Sequence, residues 1–138
     1  MKPESPSSRR SRILVVAAIM IRGGCVLLSR RPPGKHLAGL WEFPGGKVEE
    51  RETPEEALVR EIREELDLEI DDLRPYVFVH YDYPEKRILM LVYRCRAHGD
   101  PGAAELPWRW QPLADLDSTR MPPADAPIVN ALQAETAA

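Results

Sequence analysis

The chain has 138 residues, of which 43% are hydrophobic and 30% charged, an ordinary composition for a globular protein with one core. Its formal net charge of −3 disfavours a protein that binds nucleic-acid polymers, because such proteins present a basic surface. A membrane span is also disfavoured, since the longest apolar run, Ile13–Ile21, has only the length of a strand.

The N-terminal residues 1–11 are rich in serine, proline and arginine, which predicts a disordered tail before a single domain over residues 12–138. The apolar stretch that follows lacks a small-residue cleavage site, so we predict no secretory signal peptide. Cys25 and Cys95 lie in apolar runs without metal-binding spacing, which indicates buried free thiols in a reducing compartment. We therefore expect a cytoplasmic protein.

Apolar runs bounded by glycine and proline predict short β-strands along most of the chain. In chain order these are Ile13–Ile21, Cys25–Ser29, Trp41–Phe43, Tyr76–Tyr83, Arg87–Arg96 and Trp108–Gln111. Residues 30–41 and 98–107 are predicted loops, and a C-terminal helix is predicted from Pro127 to about Glu135. Strands mixed with helices at distant positions predict an α/β (α+β) fold, with a mixed sheet between helices.

The clearest predicted helix begins after Thr53 and runs to about Leu66. Thr53 is a suitable N-cap, Pro54 suits the first helical position, and Glu56 completes a capping box with Thr53. Its apolar residues recur at helical spacing and predict the face that packs on the core, namely Leu58, Val59, Ile62 and Leu66.

Three acidic residues of this helix, Glu61, Glu64 and Glu65, occupy neighbouring positions around it. A solvated acidic face is the ordinary interpretation of such a cluster. These acids border the apolar stripe instead of opposing it, however, so we expect them to be partly shielded, and their like charges to repel. Carboxylates clustered in this way need a cation, and oxygen ligands suit Mg²⁺, with Mn²⁺ as an alternative.

The segment before the helix adds groups that suit a phosphate ligand. Gly45-Gly46, in a predicted loop after Pro44, allows the backbone to approach a ligand closely and to offer a carbonyl to a metal. Lys47 is a mobile cation suited to phosphate oxygens, and Arg60 can orient a carboxylate through paired hydrogen bonds. An acidic metal site beside cations and glycines favours phosphoryl transfer.

The segment from Gly46 to Leu68 resembles the Nudix box, a pattern of glycine, acids, arginine and aliphatic residues at set spacing. The matching residues are Gly46, Glu52, Arg60, Glu61, Ile62, Glu64, Glu65 and Leu68. Asp67 departs from the pattern, which has a glycine there to end the helix in a left-handed conformation. Because aspartate tolerates that conformation better than most residues, we expect a small stability cost and an intact site.

The resemblance covers nearly the whole chain after residue 11 and is closest to the MutT branch of the Nudix hydrolases. The segments that carry it are Leu40–Lys47 and Pro122–Asp125. It implies the Nudix α/β/α sandwich and a hydrolase that removes 8-oxo-dGTP from the nucleotide pool, releasing the monophosphate and pyrophosphate. Such an activity would prevent mutations during DNA replication, as a form of DNA repair.

The same resemblance implies roles for individual residues. Those implied to hold Mg²⁺ are Gly45 through its carbonyl, Glu61, Glu64, Glu65 and Glu105. Those implied in catalysis and its support are Glu61, Glu52, Arg60 and Lys47, and which carboxylate acts as the base stays open. Those implied to contact the nucleotide are Arg31, His36, Glu42, Phe43, Pro44, Gly45, Lys86 and Asp125.

Three functions remain open at this point. The first is 8-oxo-dGTP hydrolysis, which an ionised Asp125 favours because it can accept hydrogen bonds from both N1–H and the N2 amine of guanine. The second is hydrolysis of CTP or dCTP, because relatives that hydrolyse CTP have a similar aspartate. The third is a nucleotide-binding module without turnover, which the complete Glu61, Glu64 and Glu65 cluster disfavours. We expect a monomer.

Overall fold

A computed structural model describes residues 11–137, so the predicted tail lies outside the described residues except for Ser11. The strands are β1 (Arg12–Ile19), β2 (Ile21–Arg22), β3 (Cys25–Arg30), β4 (Trp41–Glu42), β5 (Gly45–Lys47), β6 (Ile70–Asp82), β7 (Arg87–Ala97) and β8 (Trp108–Pro112). The helices are α1 (Pro54–Leu66) and α2 (Ala126–Ala137). Short 3₁₀ turns lie at Leu113–Asp115, Ser118–Arg120 and Pro123–Asp125.

The strands form a mixed sheet and a smaller antiparallel one. The mixed sheet has the order β5-β1-β7-β6, in which β1 and β7 run parallel and the other neighbours are antiparallel. In the smaller sheet β3 pairs with β2, β4 and β8. Because β4 and β5 are separated by two residues, the chain passes from one sheet to the other at Phe43-Pro44.

The core lies on both faces of the mixed sheet. Consecutive residues of β1 alternate between two apolar clusters, with Val16 and Ala18 in one and Ala17 and Ile19 in the other. The first cluster contains the buried residues of α1, and the second contains Ile128 and other residues of α2. This arrangement confirms the predicted α/β/α layering.

Both ends of α1 follow from its sequence. The Thr53 hydroxyl accepts a hydrogen bond from the Glu56 amide at 3.1 Å, and the Glu56 carboxylate accepts one from the Thr53 amide at 2.9 Å, which is the predicted capping box. Asp67 ends the helix in the left-handed region, with φ 48° and ψ 52°. Its carboxylate also accepts a hydrogen bond from the Ala103 amide at 2.9 Å, so this aspartate ties α1 to the 98–107 loop.

Two predicted boundaries were wrong. The glycines expected in a loop form strand β5, because the absence of side chains lets Gly45 pack directly on the Val16 carbonyl of β1. Strand β6 begins at Ile70, six residues before the predicted start at Tyr76. Its first half contains residues with low strand propensity, including Pro75, and it pairs with β7 through two register shifts that a periodic pattern does not reveal.

The helices are short. Helix α1 has 13 residues and α2 has 12. Within residues 11–137, no helix combines the length and the apolar character that crossing a bilayer requires.

Candidate active site

The glycine pair of β5 brings the backbone into direct contact with α1. A β-carbon added to Gly46 would overlap the carboxyl group of Glu61, so only glycine leaves room for that carboxylate. On the other side, a β-carbon at Gly45 would overlap the Val16 carbonyl. The pair is therefore needed both for the pairing of β5 with β1 and for placing Glu61 against β5.

Arg60 lies at the centre of a group of carboxylates. Its Nη2 and Nε donate to the two oxygens of Glu52 at 2.6 and 3.0 Å. Its Nη1 donates to Glu61 at 3.0 Å and to Glu64 at 3.2 Å, and its Nη2 also donates to the Lys47 carbonyl at 3.1 Å. The hydrogen bonds with Arg60 lower the pKa of Glu52. Arg60 thus connects α1 to β5 and to the loop between them.

Glu65 differs from Glu61 and Glu64 because, among the described residues, no cation bonds to it. Burial, followed by the nearby carboxylates of Glu61 and Glu42, raises the pKa of Glu65 to about 8. Negative charge is therefore uncompensated at this point, and an added cation would favour the ionised carboxylate. The prediction that the acids are partly shielded holds for Glu61 and Glu65, whereas Glu64 is exposed.

A metal ion is compatible with these donors, although the described residues do not enclose one. No three acidic, histidine or cysteine side chains in residues 11–137 already have the spacing of a metal shell. Arg60 engages Glu61 and Glu64 instead. The donor atoms around Glu65 are carboxylate oxygens, which suit a hard divalent cation.

Two further predicted metal donors, the Gly45 carbonyl and Glu105, lie at the margins of this cluster. The β1–β5 ladder is marked by hydrogen bonds from the Ala18 amide to the Pro44 carbonyl at 2.9 Å and from the Val48 amide to the Leu14 carbonyl at 3.0 Å. Alternation along the ladder turns the Gly45 carbonyl away from β1, towards the open edge of the sheet.

Glu105, the other marginal donor, is exposed in the 98–107 loop. Its amide donates to the Glu65 carbonyl at 2.9 Å. This bond holds the loop beside the end of α1 where Glu65 lies.

Two cations, Arg31 and Lys86, lie near Glu42. Arg31 donates from Nη1 to both Glu42 oxygens at 2.9 and 3.1 Å, and from Nε to the His36 carbonyl at 2.6 Å. Burial raises the pKa of Glu42 although Arg31 opposes this effect. Burial also lowers the pKa of Lys86, and the charges of Arg31 and Lys47 lower it further. Arg31 and Lys47 thus both lie within electrostatic range of Lys86, which suits a ligand with several negative charges.

Asp125 lies near Phe43, Glu42 and Arg31 and is only 5% exposed. The Phe43 amide donates a hydrogen bond to its carboxyl, while its Oδ2 has no hydrogen-bond partner among the described residues. Burial raises the pKa of Asp125 well above its ordinary value, and the Glu42 charge adds to this effect. A buried oxygen without a partner is costly unless a ligand supplies one.

The remaining predicted contact residues are distributed around Asp125. Phe43 is 3% exposed and belongs to the core on the α2 side, and Pro44 is buried with its carbonyl bonded to β1. His36 lies with its Nε2 3.5 Å from a Glu85 oxygen, and its ring contacts the edge of the Tyr83 ring at 4.9 Å between centroids. The structure thus brings the loop 30–41 and the β6–β7 turn together.

Sequence analysis missed two buried polar residues near the site. Tyr83 accepts a hydrogen bond from the Ala124 amide at 3.2 Å, next to Asp125 in the chain. Ser29 is 1% exposed, its hydroxyl has no partner among the described residues, and it lies directly across the β3–β4 pair from Glu42. Neither residue belongs to a motif, and only the pairing of distant segments places them here.

Comparison with known proteins agrees with this geometry. A family model described as NUDIX domain matches residues 15–131. The 8-oxo-dGTP diphosphatase of Escherichia coli K12 is 32% identical over 122 residues, which cover 87% of this chain and 95% of that protein. The CTP pyrophosphohydrolase of the same organism is 51% identical over 79 residues, which cover 57% of this chain and 58% of that protein.

Among solved structures, that of the E. coli ORF135 protein superposes with a TM-score of 0.79 at 36% identity, covering 96% of each chain. Nudix hydrolases act on nucleotide substrates and generally need a divalent metal ion. The family match over most of the chain and the full-length relative together decide the assignment. This chain belongs to the Nudix hydrolase family, as an enzyme and not a silent binding module.

Proposed function

We propose that this enzyme hydrolyses 8-oxo-dGTP to 8-oxo-dGMP and pyrophosphate in the cytoplasm, with Mg²⁺ as its metal and Mn²⁺ as a substitute. The observation that carries the proposal is the Asp125 carboxyl, which is buried and has one oxygen without a partner among the described residues. A ligand with polar groups on one edge, such as a nucleobase, would supply that partner. The full-length similarity to an 8-oxo-dGTP diphosphatase supports the choice of base.

The protonation state of Asp125 decides which base edge it can bind. Burial acts against the sequence-based expectation of an ionised carboxylate, because it favours the neutral form. An ionised carboxylate accepts from N1–H and the N2 amine of guanine. A neutral carboxyl accepts from N1–H and donates its own proton to O6. Guanine therefore keeps two hydrogen bonds in either state, and a second acceptor in the pocket must read N7–H of the oxidised base.

The raised pKa of Asp125 also supports a second candidate, a CTP or dCTP pyrophosphohydrolase. Cytosine offers its N4 amine as a donor and its N3 as an acceptor, so only a neutral carboxyl forms two hydrogen bonds with it. The local similarity to a CTP pyrophosphohydrolase points in the same direction. Guanine and cytosine thus differ in how their recognition should depend on pH.

The opposite end of the site suits the triphosphate. Glu61, Glu64, Glu65 and Glu105, with the Gly45 carbonyl, would hold the metal, which would neutralise charge on the phosphates and activate the attacking water. Lys47, Lys86 and Arg31 would bind phosphate oxygens, and the Arg31–Glu42 pair must open or share its hydrogen bonds if the arginine does so.

The pairing with Arg60 suggests distinct roles for the carboxylates. Glu52 accepts two hydrogen bonds from Arg60, and its lowered pKa makes it a weak base. We infer that Glu52 holds Arg60, and that Arg60 in turn orients Glu61 and Glu64. The base that accepts the proton of the attacking water is then one of the α1 acids and not Glu52.

Steady-state kinetics across a panel of nucleotides with Mg²⁺ tests the proposal. We expect 8-oxo-dGTP to have the highest kcat/KM, well above those of dGTP and CTP. The kcat/KM ratio of CTP to 8-oxo-dGTP should fall as the pH rises through the pKa of Asp125, since ionised Asp125 keeps two hydrogen bonds to guanine and loses one to cytosine. If CTP or dCTP outranks 8-oxo-dGTP at every pH, the second candidate is correct.

A further inference from the structure

The turn between β6 and β7 joins two segments of the site. Tyr83 and Lys86 close this turn through backbone hydrogen bonds of 2.8 and 3.3 Å. A carboxylate oxygen of Glu85, at the tip of the turn, lies 3.5 Å from Nε2 of His36 in the 30–41 loop. The charges of Arg31 and Lys47 lower the pKa of Lys86. The turn therefore lies between the cations at the phosphate end and the buried end of the site.

Tyr83 extends this contact to the segment that carries Asp125. It is 6% exposed, and its hydroxyl accepts a hydrogen bond from the Ala124 amide across 41 residues of chain. Ala124 lies in the 3₁₀ turn Pro123–Asp125, which is closed by a hydrogen bond from the Asp125 amide to the Pro122 carbonyl at 2.9 Å. Pro122 and Pro123 have no N–H group, so Ala124 provides the first amide of the segment that can be held.

This hydrogen bond sets the orientation of the peptide group immediately before Asp125. Two contacts then position the Asp125 carboxyl. The Phe43 amide donates a hydrogen bond to the carboxyl itself, and Tyr83 holds the preceding peptide group through the Ala124 amide. Without the tyrosine hydroxyl the buried Ala124 amide would lack a partner, which costs enough to favour a shifted turn. A small shift at Asp125 would misalign both of its hydrogen bonds to a planar base edge.

We propose that Tyr83 is a positioning residue for base recognition, acting through the Ala124 amide to fix the direction in which Asp125 presents its carboxyl. The inference rests on the proposed function, since it assumes that Asp125 contacts the base. It concerns selectivity between bases and not the chemistry at the phosphates.

The variant Tyr83→Phe removes one hydroxyl and keeps the ring. We expect kcat/KM for the preferred nucleotide to fall roughly 5- to 50-fold, mainly through KM, as expected for stranding one buried donor. The kcat/KM of the least preferred nucleotide should change less than about twofold, so the selectivity ratio collapses. A tyrosine with a merely structural role would lower the melting temperature and leave this ratio unchanged, and that result would overturn the proposal.

Tyr81→Phe is the matched control. Tyr81 is the neighbouring tyrosine in β6, its ring lies 4.6 Å from that of Tyr83, and its hydroxyl has no hydrogen bond to the described residues. We expect this variant to keep the wild-type selectivity. Loss of selectivity to the same extent in both variants would show that the effect does not depend on the Tyr83–Ala124 hydrogen bond, and would contradict the proposal.

Amide hydrogen exchange provides a readout that does not depend on activity. The Ala124 amide should exchange at least roughly tenfold faster in Tyr83→Phe than in the wild type, while amides of β1 and β7 stay protected. If the wild type shows no preference among nucleotides, the proposed function fails. If it is selective, and Asp125→Ala loses selectivity while Tyr83→Phe retains it, only the role of Tyr83 fails.

Discussion

The two ends of the site are built in different ways. The acidic end is formed by one continuous segment, Gly45 to Leu66. Within it, the close contacts of Gly45 and Gly46 and the single helix α1 position most of the functional side chains. The base end brings together the 30–41 loop, Phe43, the β6–β7 turn and the Pro122–Asp125 segment. A local site is maintained by helix geometry, whereas a dispersed site depends on a few buried hydrogen bonds between distant segments.

The charges of the two ends also differ. At the acidic end, Arg60 bonds to Glu52, Glu61 and Glu64, whereas Glu65 has no bonded cation among the described residues. At the base end, Asp125 is buried near Glu42 with one backbone donor. Changes at the acidic end should therefore affect the chemical step for every substrate, and changes at the base end should affect the choice of substrate.

The largest effect is expected at the acidic end. Glu61→Gln or Glu64→Gln should lower kcat by at least roughly 10²-fold for every nucleotide of the panel, because each loses a charge that stabilises the transferring phosphates through the metal. Steady-state kinetics with saturating Mg²⁺, together with circular dichroism to verify folding, measures this effect. Turnover close to wild type in both variants would remove α1 from the mechanism.

A smaller and selective effect is expected at the base end. Asp125→Ala should lower kcat/KM for the preferred nucleotide by roughly 1–3 kcal/mol in transition-state terms, the cost of leaving donors unpaired. Asp125→Asn is the matched variant, since the amide donates and accepts as a neutral carboxyl does. The asparagine variant should retain most of the activity and lose its dependence on the ionisation of residue 125. Equal losses for all nucleotides would contradict a contact with the base.

The smallest effect concerns stability without metal. The pKa of Glu65 is about 8 in the folded protein, against 4.5 ordinarily, so its contribution to stability falls as the pH rises from 4.5 to about 8. In EDTA, Glu65→Gln should therefore melt several degrees above the wild type at pH 8.5 and show a smaller difference at pH 5. Glu52→Gln neutralises the carboxylate that accepts the shortest hydrogen bond of Arg60, so this variant should melt at a lower temperature than the wild type at both pH values. Thermal melts of both variants and the wild type at the two pH values measure these differences.

The contrast between the two ends also explains what the sequence could predict. The capping box, the buried face of α1 and the acids beside it depend on spacing within one helix, so the sequence alone predicts them. The left-handed Asp67 was expected from its place in the Nudix box, and the structure confirms it. The fold class and the hydrolase family followed from the same box and its flanking segments, and the comparisons confirm them.

Other features depend on long-range contacts that spacing does not encode. Strand β5 exists because glycines without side chains can pack on β1, and the raised pKa of Asp125 arises from burial that no local pattern reports. The sequence predicts Tyr83 only as the last residue of a strand, whereas its hydrogen bond with the Ala124 amide depends on a contact across 41 residues of chain. The roles of the predicted contact residues, including His36 and Lys86, stay predictions.

The most direct test is a competition experiment in ¹⁸O-labelled water, with equal concentrations of 8-oxo-dGTP, dGTP and CTP, Mg²⁺ and limiting enzyme. Mass spectrometry of the early products reports the relative kcat/KM values and the bond that is cleaved in one measurement. We expect 8-oxo-dGMP to accumulate first, with the label in pyrophosphate and none in the monophosphate, which is the outcome of water attack on the β-phosphorus. Early accumulation of CMP, or label in the monophosphate, would contradict the account.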